Sequence, residues 1–154
     1  MVRVTKLADY GLMLLTTIAR DSSREEHTAR DLAEGTGVAL ETVRKVMKSF
    51  ARAGVLKSQR GVHGGYKLAR PSASISLVDI IEALEGPISV TECCDEGQCS
   101  CKLEPHCQVS GAWHHVNRVI IRTLRAMSLE DVTKATKPLK SAKFEVRSAK
   151  LLGR

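Results

Sequence analysis

All five cysteines of the chain fall within residues 93–107. The residues around them show neither helical nor strand periodicity, so we expect a loop there. A loop lets several thiolates converge on one point, and three or four sulfurs around a centre can bind zinc or an iron–sulfur cluster. The types and spacing of these residues therefore predict metal or redox chemistry in this segment.

The spacing leaves three interpretations open. Structural zinc sites favour two close pairs of cysteines; Cys94 and Cys99 form one loose pair, with no matching second pair. Cys93 and Cys99 are separated by five residues, as are Cys101 and Cys107. Such intervals suit an iron–sulfur cluster, 2Fe–2S or 4Fe–4S, held by one long loop. The third interpretation is a group of thiols without metal.

Length and composition limit the classes of protein. The chain has 154 residues, of which 43% are hydrophobic and 3% aromatic, so we expect one domain with an aliphatic core. No apolar run approaches the ~18 residues of a membrane span, and no secretory leader is visible. We expect a cytoplasmic protein without a membrane partner, in which disulfides are disfavoured.

The net charge of +7 is unevenly distributed. Residues 40–70 carry +7, residues 71–105 carry −6, and residues 134–154 carry +6. A basic block inside a patterned, foldable segment predicts a surface that faces a polyanion.

The elements around this block have a characteristic order. Apolar periodicity predicts a helix over 5–19, a short helix capped by Thr28, and a basic helix over 40–53. A β-hairpin with a glycine-rich tip follows over 55–71. This order is typical of a winged helix-turn-helix, so the fold class is mainly α with a β-hairpin wing.

A recognition helix presents its outward side chains to the major groove, and lysines and arginines near it neutralise phosphates. Glu41 can accept from a cytosine amine, and Arg44 and Lys45 can reach guanine or phosphate. The hairpin tip can approach the backbone or the minor groove. The predicted DNA-contacting residues are Thr28, Glu41, Thr42, Arg44, Lys45, Lys48, Ser58, Arg60 and His63.

Two further helices are predicted, one over 77–85 capped by Ser76 and one over 111–127. The second has an apolar seam with the spacing used between paired helices, which predicts a dimer interface. We expect residues 130–154 to be weakly ordered. The seam consists of Trp113, Val116, Ile120, Leu124 and Met127, and the predicted parts of the chain are 1–86 (winged helix-turn-helix), 87–110 (cysteine-rich loop), 111–128 (dimerisation helix) and 129–154 (basic, flexible tail).

Four stretches resemble one family of regulators. They are ADYGL at 8–12, AGVL at 53–56, RGVHGGYKLARP at 60–71 and LVDIIEALEG at 77–86. Together with the cysteine loop and the long helix that begins near a tryptophan, they make residues 1–128 similar to the bacterial winged-helix regulators typified by the iron–sulfur cluster regulator IscR. TEC at 91–93 and CKLEPHC at 101–107 resemble the subgroup that regulates the SUF iron–sulfur assembly system.

The resemblance implies a homodimer that binds a palindromic DNA operator with an affinity set by an iron–sulfur cluster. It implies three cysteine ligands in each subunit, Cys93, Cys101 and Cys107. Some relatives have a histidine where Ser110 stands here. The fourth ligand is then Asp9 of the first helix or His106, while Cys94 is the alternate for Cys93 and Cys99 the alternate for Cys101.

Two other functions remain as alternatives. A zinc-stabilised or thiol-based redox-sensing repressor would use the same cysteines. A small cluster carrier or redox protein is disfavoured, because the chain has no Cys-x-x-Cys motif, no phosphate-binding glycine loop and no nucleophile–base pair. We therefore expect a regulator and not an enzyme.

Overall fold

The computed structural model describes residues 4–21, 26–59, 61, 64–94 and 101–136. Within these residues the chain is mostly helical, with one two-stranded antiparallel sheet, which confirms the predicted fold class. No helix in the described ranges is long and apolar enough to cross a bilayer. The helices are α1 (Lys6–Arg20), α2 (Ala29–Thr36), α3 (Leu40–Arg52), α4 (Leu77–Glu85), α5 (Ser110–Ala126) and α6 (Leu129–Ala135), and the strands are β1 (Leu56–Ser58) and β2 (Tyr66–Leu68).

The helix-turn-helix consists of α2 and α3. The Thr28 hydroxyl caps α2 by accepting a hydrogen bond from the Asp31 amide at 3.1 Å, as the sequence predicts. Gly37 ends the helix with a φ of 74°, a left-handed conformation that favours glycine. The chain therefore turns sharply, and α3 begins at Leu40.

The core is aliphatic apart from Phe50. The inward stripe of α3 packs against α1 and α4, and its members Val43, Val46, Met47 and Phe50 are fully buried. A Cβ on Gly11 of α1 would lie 2.5 Å from Leu84 Cδ1 and 2.9 Å from Phe50 Cζ. Glycine at this position therefore lets α1 approach both neighbouring helices closely.

The wing is shorter than predicted, since β1 and β2 have three residues each, with Leu56 opposite Leu68 and Ser58 opposite Tyr66. Strand β2 also pairs with the segment before α2, because the amides and carbonyls of His27 and Tyr66 exchange two hydrogen bonds of 2.9 Å. This bridge attaches the wing to the start of the helix-turn-helix.

The expectation of a weakly ordered segment from 130, and of a tail that begins at 129, is wrong for residues 129–135, which form α6. Leu129 is fully buried in the main core. Arg20 of α1 donates to the Thr133 carbonyl at 2.7 Å and also to the Thr136 carbonyl. Burial and long-range hydrogen bonds order a segment whose composition looked like a tail. Residues 137–154 lie outside the described ranges.

Candidate DNA-binding surface and cysteine segment

The outer face of α3 carries four of the predicted DNA-contacting residues together. Because the apolar stripe faces the core, the opposite side of the helix points to solvent. Thr42 is half-buried at the edge of this face. The exposed residues, called the α3 face below, are Glu41, Arg44, Lys45 and Lys48.

Arg44 and Glu41 form an ion pair on the α3 face. Arg44 Nη1 lies 2.7 Å from Glu41 Oε1, and the two side chains are 57% and 83% exposed. An exposed pair of this kind is worth at most about 1 kcal/mol. The guanidinium group can therefore exchange the carboxylate for a phosphate or a guanine edge at little cost.

Thr28 and Ser58 meet in a groove between the start of α2 and the wing. The groove has a volume of about 420 Å³. The Thr28 hydroxyl accepts from the α2 backbone and keeps its own proton for a further acceptor. Gln59, next to Ser58, is an exposed lining residue that the sequence analysis did not single out. Arg60 and His63, predicted for the wing tip, lie outside the described residues.

Gly65 holds the wing close to the segment before α2. A Cβ at this position would lie 2.9 Å from the His27 carbonyl oxygen, which is a clash with backbone. Gly65 belongs to the glycine-rich part of the predicted hairpin, and in the structure it permits close contact between two backbone segments.

The cysteine segment leaves the helical domain through a 3₁₀ turn, Glu92–Cys94. Cys94 is buried at 4% exposure, and Cys93 is half-buried. Thr91 Oγ1 lies 3.1 Å from Cys93 Sγ and donates to Cys94 Sγ at 3.2 Å. Cys99, an alternate ligand, lies outside the described ranges.

Cys101 and Cys107 flank a second 3₁₀ turn, Glu104–His106, which leads into α5. Both thiols are free and half-buried. The Cys107 carbonyl accepts from the Ser110 hydroxyl at 3.1 Å, so Cys107 is tied to the first turn of α5. Ser110 therefore has a structural contact, and the resemblance alone suggested a ligand at this position.

Among the described residues, no three histidine, cysteine, aspartate or glutamate side chains are grouped closely enough to hold a metal ion. Within the described part of the chain, Cys93, Cys101 and Cys107 are therefore near in sequence without being grouped into a site. His106 is exposed, and Asp9 lies in a groove between α1 and α6 with Val132. Four described cysteines are free thiols, and this donor chemistry fits zinc or an iron–sulfur cluster.

The predicted seam of α5 is partly uncovered. Trp113, Val116 and Met127 are 41%, 39% and 43% exposed, whereas Ile120 and Leu124 are half-buried next to residues 86–90. Val109 and Val119 add exposed apolar surface that the seam pattern missed.

Asn117 is the buried residue of α5. Its side chain accepts from the Val90 amide at 3.1 Å and donates to the Ile88 carbonyl at 3.4 Å. These bonds attach the segment between α4 and the cysteines to α5.

Comparison with known proteins gives consistent matches over nearly the whole chain. The chain is 28% identical over 131 residues to Protein rrf2 of Nitratidesulfovibrio vulgaris, covering 85% of this chain and 87% of that protein. It is 29% identical over 136 residues to the HTH-type transcriptional regulator NsrR of Oceanobacillus iheyensis, covering 86% of this chain and 90% of that protein.

Solved structures share the fold. CymR, the global cysteine regulator of B. subtilis, superposes with a TM-score of 0.68 at 24% identity, covering 89% of this chain and all of CymR. IscR of T. potens superposes with a TM-score of 0.64 at 24% identity, covering 88% of this chain and 89% of IscR.

The family model described as Rrf2, iron-dependent transcriptional regulator, matches residues 4–135. The match includes α6, beyond the stretch on which the resemblance was recognised from the sequence. It confirms that resemblance at the level of the family, whose members are DNA-binding transcription factors. The chain belongs to the Rrf2 family of transcriptional regulators.

Proposed function

We propose that this chain is a homodimeric regulator whose affinity for a palindromic operator is set by an iron–sulfur cluster, and that it regulates iron–sulfur assembly genes in the cytoplasm. The observation that carries the proposal is the position of the free thiols. They lie between the winged helix domain and α5, the helix with an exposed apolar seam. A ligand bound there can affect both the DNA-binding part and the dimer.

The DNA-binding part of the proposal rests on charge and exposure. The α3 face offers three cations, and the groove beside the wing offers the Thr28 and Ser58 hydroxyls. In our proposal the α3 face enters the major groove, while the groove residues and Arg60 and His63 of the wing contact the backbone.

The dimer part rests on α5. Of the 17 residues of α5, Asn117 alone is buried, and Trp113 and Val116 remain exposed in the chain. Pairing the seams of two α5 helices would bury Trp113, Val116 and Met127, and it would set the distance between two α3 faces.

The cluster part rests on donor chemistry. Cys93, Cys101 and Cys107 would hold the group, and Asp9 of a second subunit or His106 would complete the ligand set. When bound, the group supplies sensitivity to iron supply and oxidants. The chain's own residues then transmit the change: Asn117 joins the start of the loop to α5, and Ser110 joins its end to the same helix.

The test is anaerobic reconstitution with iron and sulfide, followed by absorption spectroscopy and DNA-shift assays on the full chain with and without the cluster. We expect visible iron–sulfur absorbance that disappears in Cys101→Ala and Cys107→Ala, and operator affinity that differs between the two forms. Glu92→Gln, which replaces an acidic side chain beside Cys93 with a neutral one, serves as the control that retains the cluster. Full absorbance in both cysteine variants would contradict the ligand assignment.

A thiol-based or zinc-stabilised repressor is the second candidate. The thiol-based form is favoured by the finding that the described cysteines are free thiols, and the zinc-stabilised form rests on the donor chemistry of the same side chains. Protein purified without oxygen that contains zinc or no metal, and that loses operator binding reversibly with peroxide, would support this function instead.

A further inference from the structure

A cavity of about 700 Å³ lies between α4 and α5, and three arginines of α5 line it. Arg118, Arg122 and Arg125 follow one another at intervals of four and three residues, so they share one face of the helix. Together they are called the arginine stripe. Arg125 is nine positions after Val116, which at about 3.6 residues per turn places it on the opposite side of α5 from the seam. Pairing through the seam would leave this cavity open.

The arginine stripe has no ion pair or hydrogen bond to its side chains within the described part of the chain. Like charges at these spacings repel one another along a helix. The lining residues include one carboxylate, Glu82 of α4, and it makes no ion pair with the stripe. Three uncompensated guanidinium groups around a concave surface favour an anion, which they bind with charge-assisted hydrogen bonds.

The remaining lining residues are mostly apolar. Pro87, Ile88 and Ile121 contribute aliphatic surface, and Cys94 adds a buried thiol. The Asn117 amide is already bonded to the backbone of residues 88 and 90. The volume falls within the range of about 300–1,000 Å³ that is usual for small-molecule sites. The cavity thus combines a cationic rim with an apolar wall.

We propose that this cavity binds a small organic anion, with a phosphate or carboxylate group on the arginine stripe and an apolar body against Pro87, Ile88 and Ile121. The site is separate from the α3 face. Cys94 in its wall connects it directly to the cysteine segment, so an occupant would contact the loop as well as α5.

The probe is anilinonaphthalene sulfonate, a fluorescent anion with an apolar ring system, titrated into the full chain. We expect saturable binding that weakens at least tenfold in the double variant Arg118→Gln/Arg122→Gln. Both side chains are exposed and make no hydrogen bond or ion pair with the residues that the structure describes, so the variant should remain folded by circular dichroism and bind operator normally. The matched control, Arg52→Gln at the end of α3, should bind the probe as the wild type does.

Competition between the fluorescent probe and a second anion identifies the anionic group that the cavity prefers. Displacement by inorganic pyrophosphate indicates a phosphate-bearing ligand, and displacement by octanoate indicates a carboxylate with an aliphatic tail. Equal probe affinity in the wild type and the double variant, or no displacement by either competitor, would overturn the proposal. Loss of probe binding in Val116→Glu but not in the double variant would place the probe on the seam and would also overturn it.

Discussion

Ser76 and Ser128 lie opposite each other in an antiparallel bridge, and each is the N-cap of a helix with a complete capping box. The flanking amides complete the bridge, with Leu77 donating to the Met127 carbonyl at 2.9 Å and Leu129 donating to the Ile75 carbonyl at 2.7 Å. The end of α5 is therefore fixed to the start of α4. In the proposed dimer, this bridge connects the pairing helix α5 to the winged helix domain.

Ser128→Ala should destabilise the chain by about 1 kcal/mol, because the hydroxyl accepts from the Asp131 amide at 3.1 Å and caps α6. For a protein of this size the loss corresponds to about 2–4 °C in Tm. Thermal unfolding followed by circular dichroism measures this fall in Tm. The control is Ser89→Ala, at an exposed serine that caps no helix. Equal Tm values for the two variants would show that the cap does not stabilise α6.

Gly65→Ala should destabilise the wing, because the added methyl group meets the His27 carbonyl at 2.9 Å. We expect a loss of about 1–3 kcal/mol in the free energy of unfolding, the usual cost of overpacking. Gly35→Ala is the matched control, since its Cβ would meet nothing within 4 Å and alanine favours the helix. Urea unfolding measures the free energy of unfolding of both variants. Similar values for the two would contradict the close contact between Gly65 and His27.

Acid should remove a specific contribution to stability at Asp79. Burial raises the pKa of its carboxyl, but hydrogen bonds from the Ser76 amide and hydroxyl and from Arg70 outweigh burial, so the pKa lies below its usual 3.8. A lowered folded-state pKa stabilises the protein above the unfolded pKa, and the contribution is lost as pH falls through the folded value. Asp79 Oδ2 accepts hydrogen bonds from Ser76 N at 2.9 Å and from Arg70 Nη2 at 2.8 Å, and both stabilise the charged form of the carboxyl in the folded protein.

Asp79→Asn should therefore be less stable than the wild type at pH 7, and the difference should shrink as pH falls below about 4. Urea unfolding at a series of pH values measures it. Glu34→Gln, at an exposed carboxylate of α2, should show no comparable pH-dependent difference. A difference for Asp79→Asn that stays constant down to pH 3 would refute the assignment.

Lys48→Ala should weaken operator binding and lower the slope of log affinity against log salt by about 0.9, because one phosphate contact is lost. Arg60→Ala in the wing should act in the same direction. Lys6→Ala on α1 removes the same charge at an exposed position away from the α3 face. A slope that changes equally for Lys6→Ala would mean that net charge alone, and not the α3 face, governs binding.

Val116→Glu should convert the proposed dimer into monomers, because it puts a carboxylate in the exposed part of the seam. Sedimentation velocity measures the association state, and operator affinity should fall with it. His115→Glu, an exposed position next to Val116 in the sequence but off the seam, controls for charge on the same helix. A dimer that survives Val116→Glu would place the interface elsewhere.

Local signals in the sequence were sufficient for much of the fold. The sequence predicts a helix over 77–85 after Ser76, and α4 spans Leu77–Glu85 with Ser76 as its cap. The Ser76 hydroxyl and the carboxyl of Asp79 three positions later form the capping box within one turn, and the apolar residues that follow have helical spacing. The same reasoning predicted the Thr28 cap and the outward face of α3, because both depend on residues that are close in sequence.

Tertiary structure decided the rest. A helix as short as α6 has little stability of its own, and it forms because Leu129 is buried and Arg20, more than a hundred residues earlier, binds the last carbonyls of the helix. The contact of Gly65 with His27 and the bridge between Ser76 and Ser128 likewise join segments that are distant in the chain. The sequence by itself predicted α1 to α5 and the candidate side chains for binding DNA or metal. The packing of distant segments decided how the wing, α5 and α6 are joined, because burial and backbone pairing depend on proximity in space and not on order along the chain.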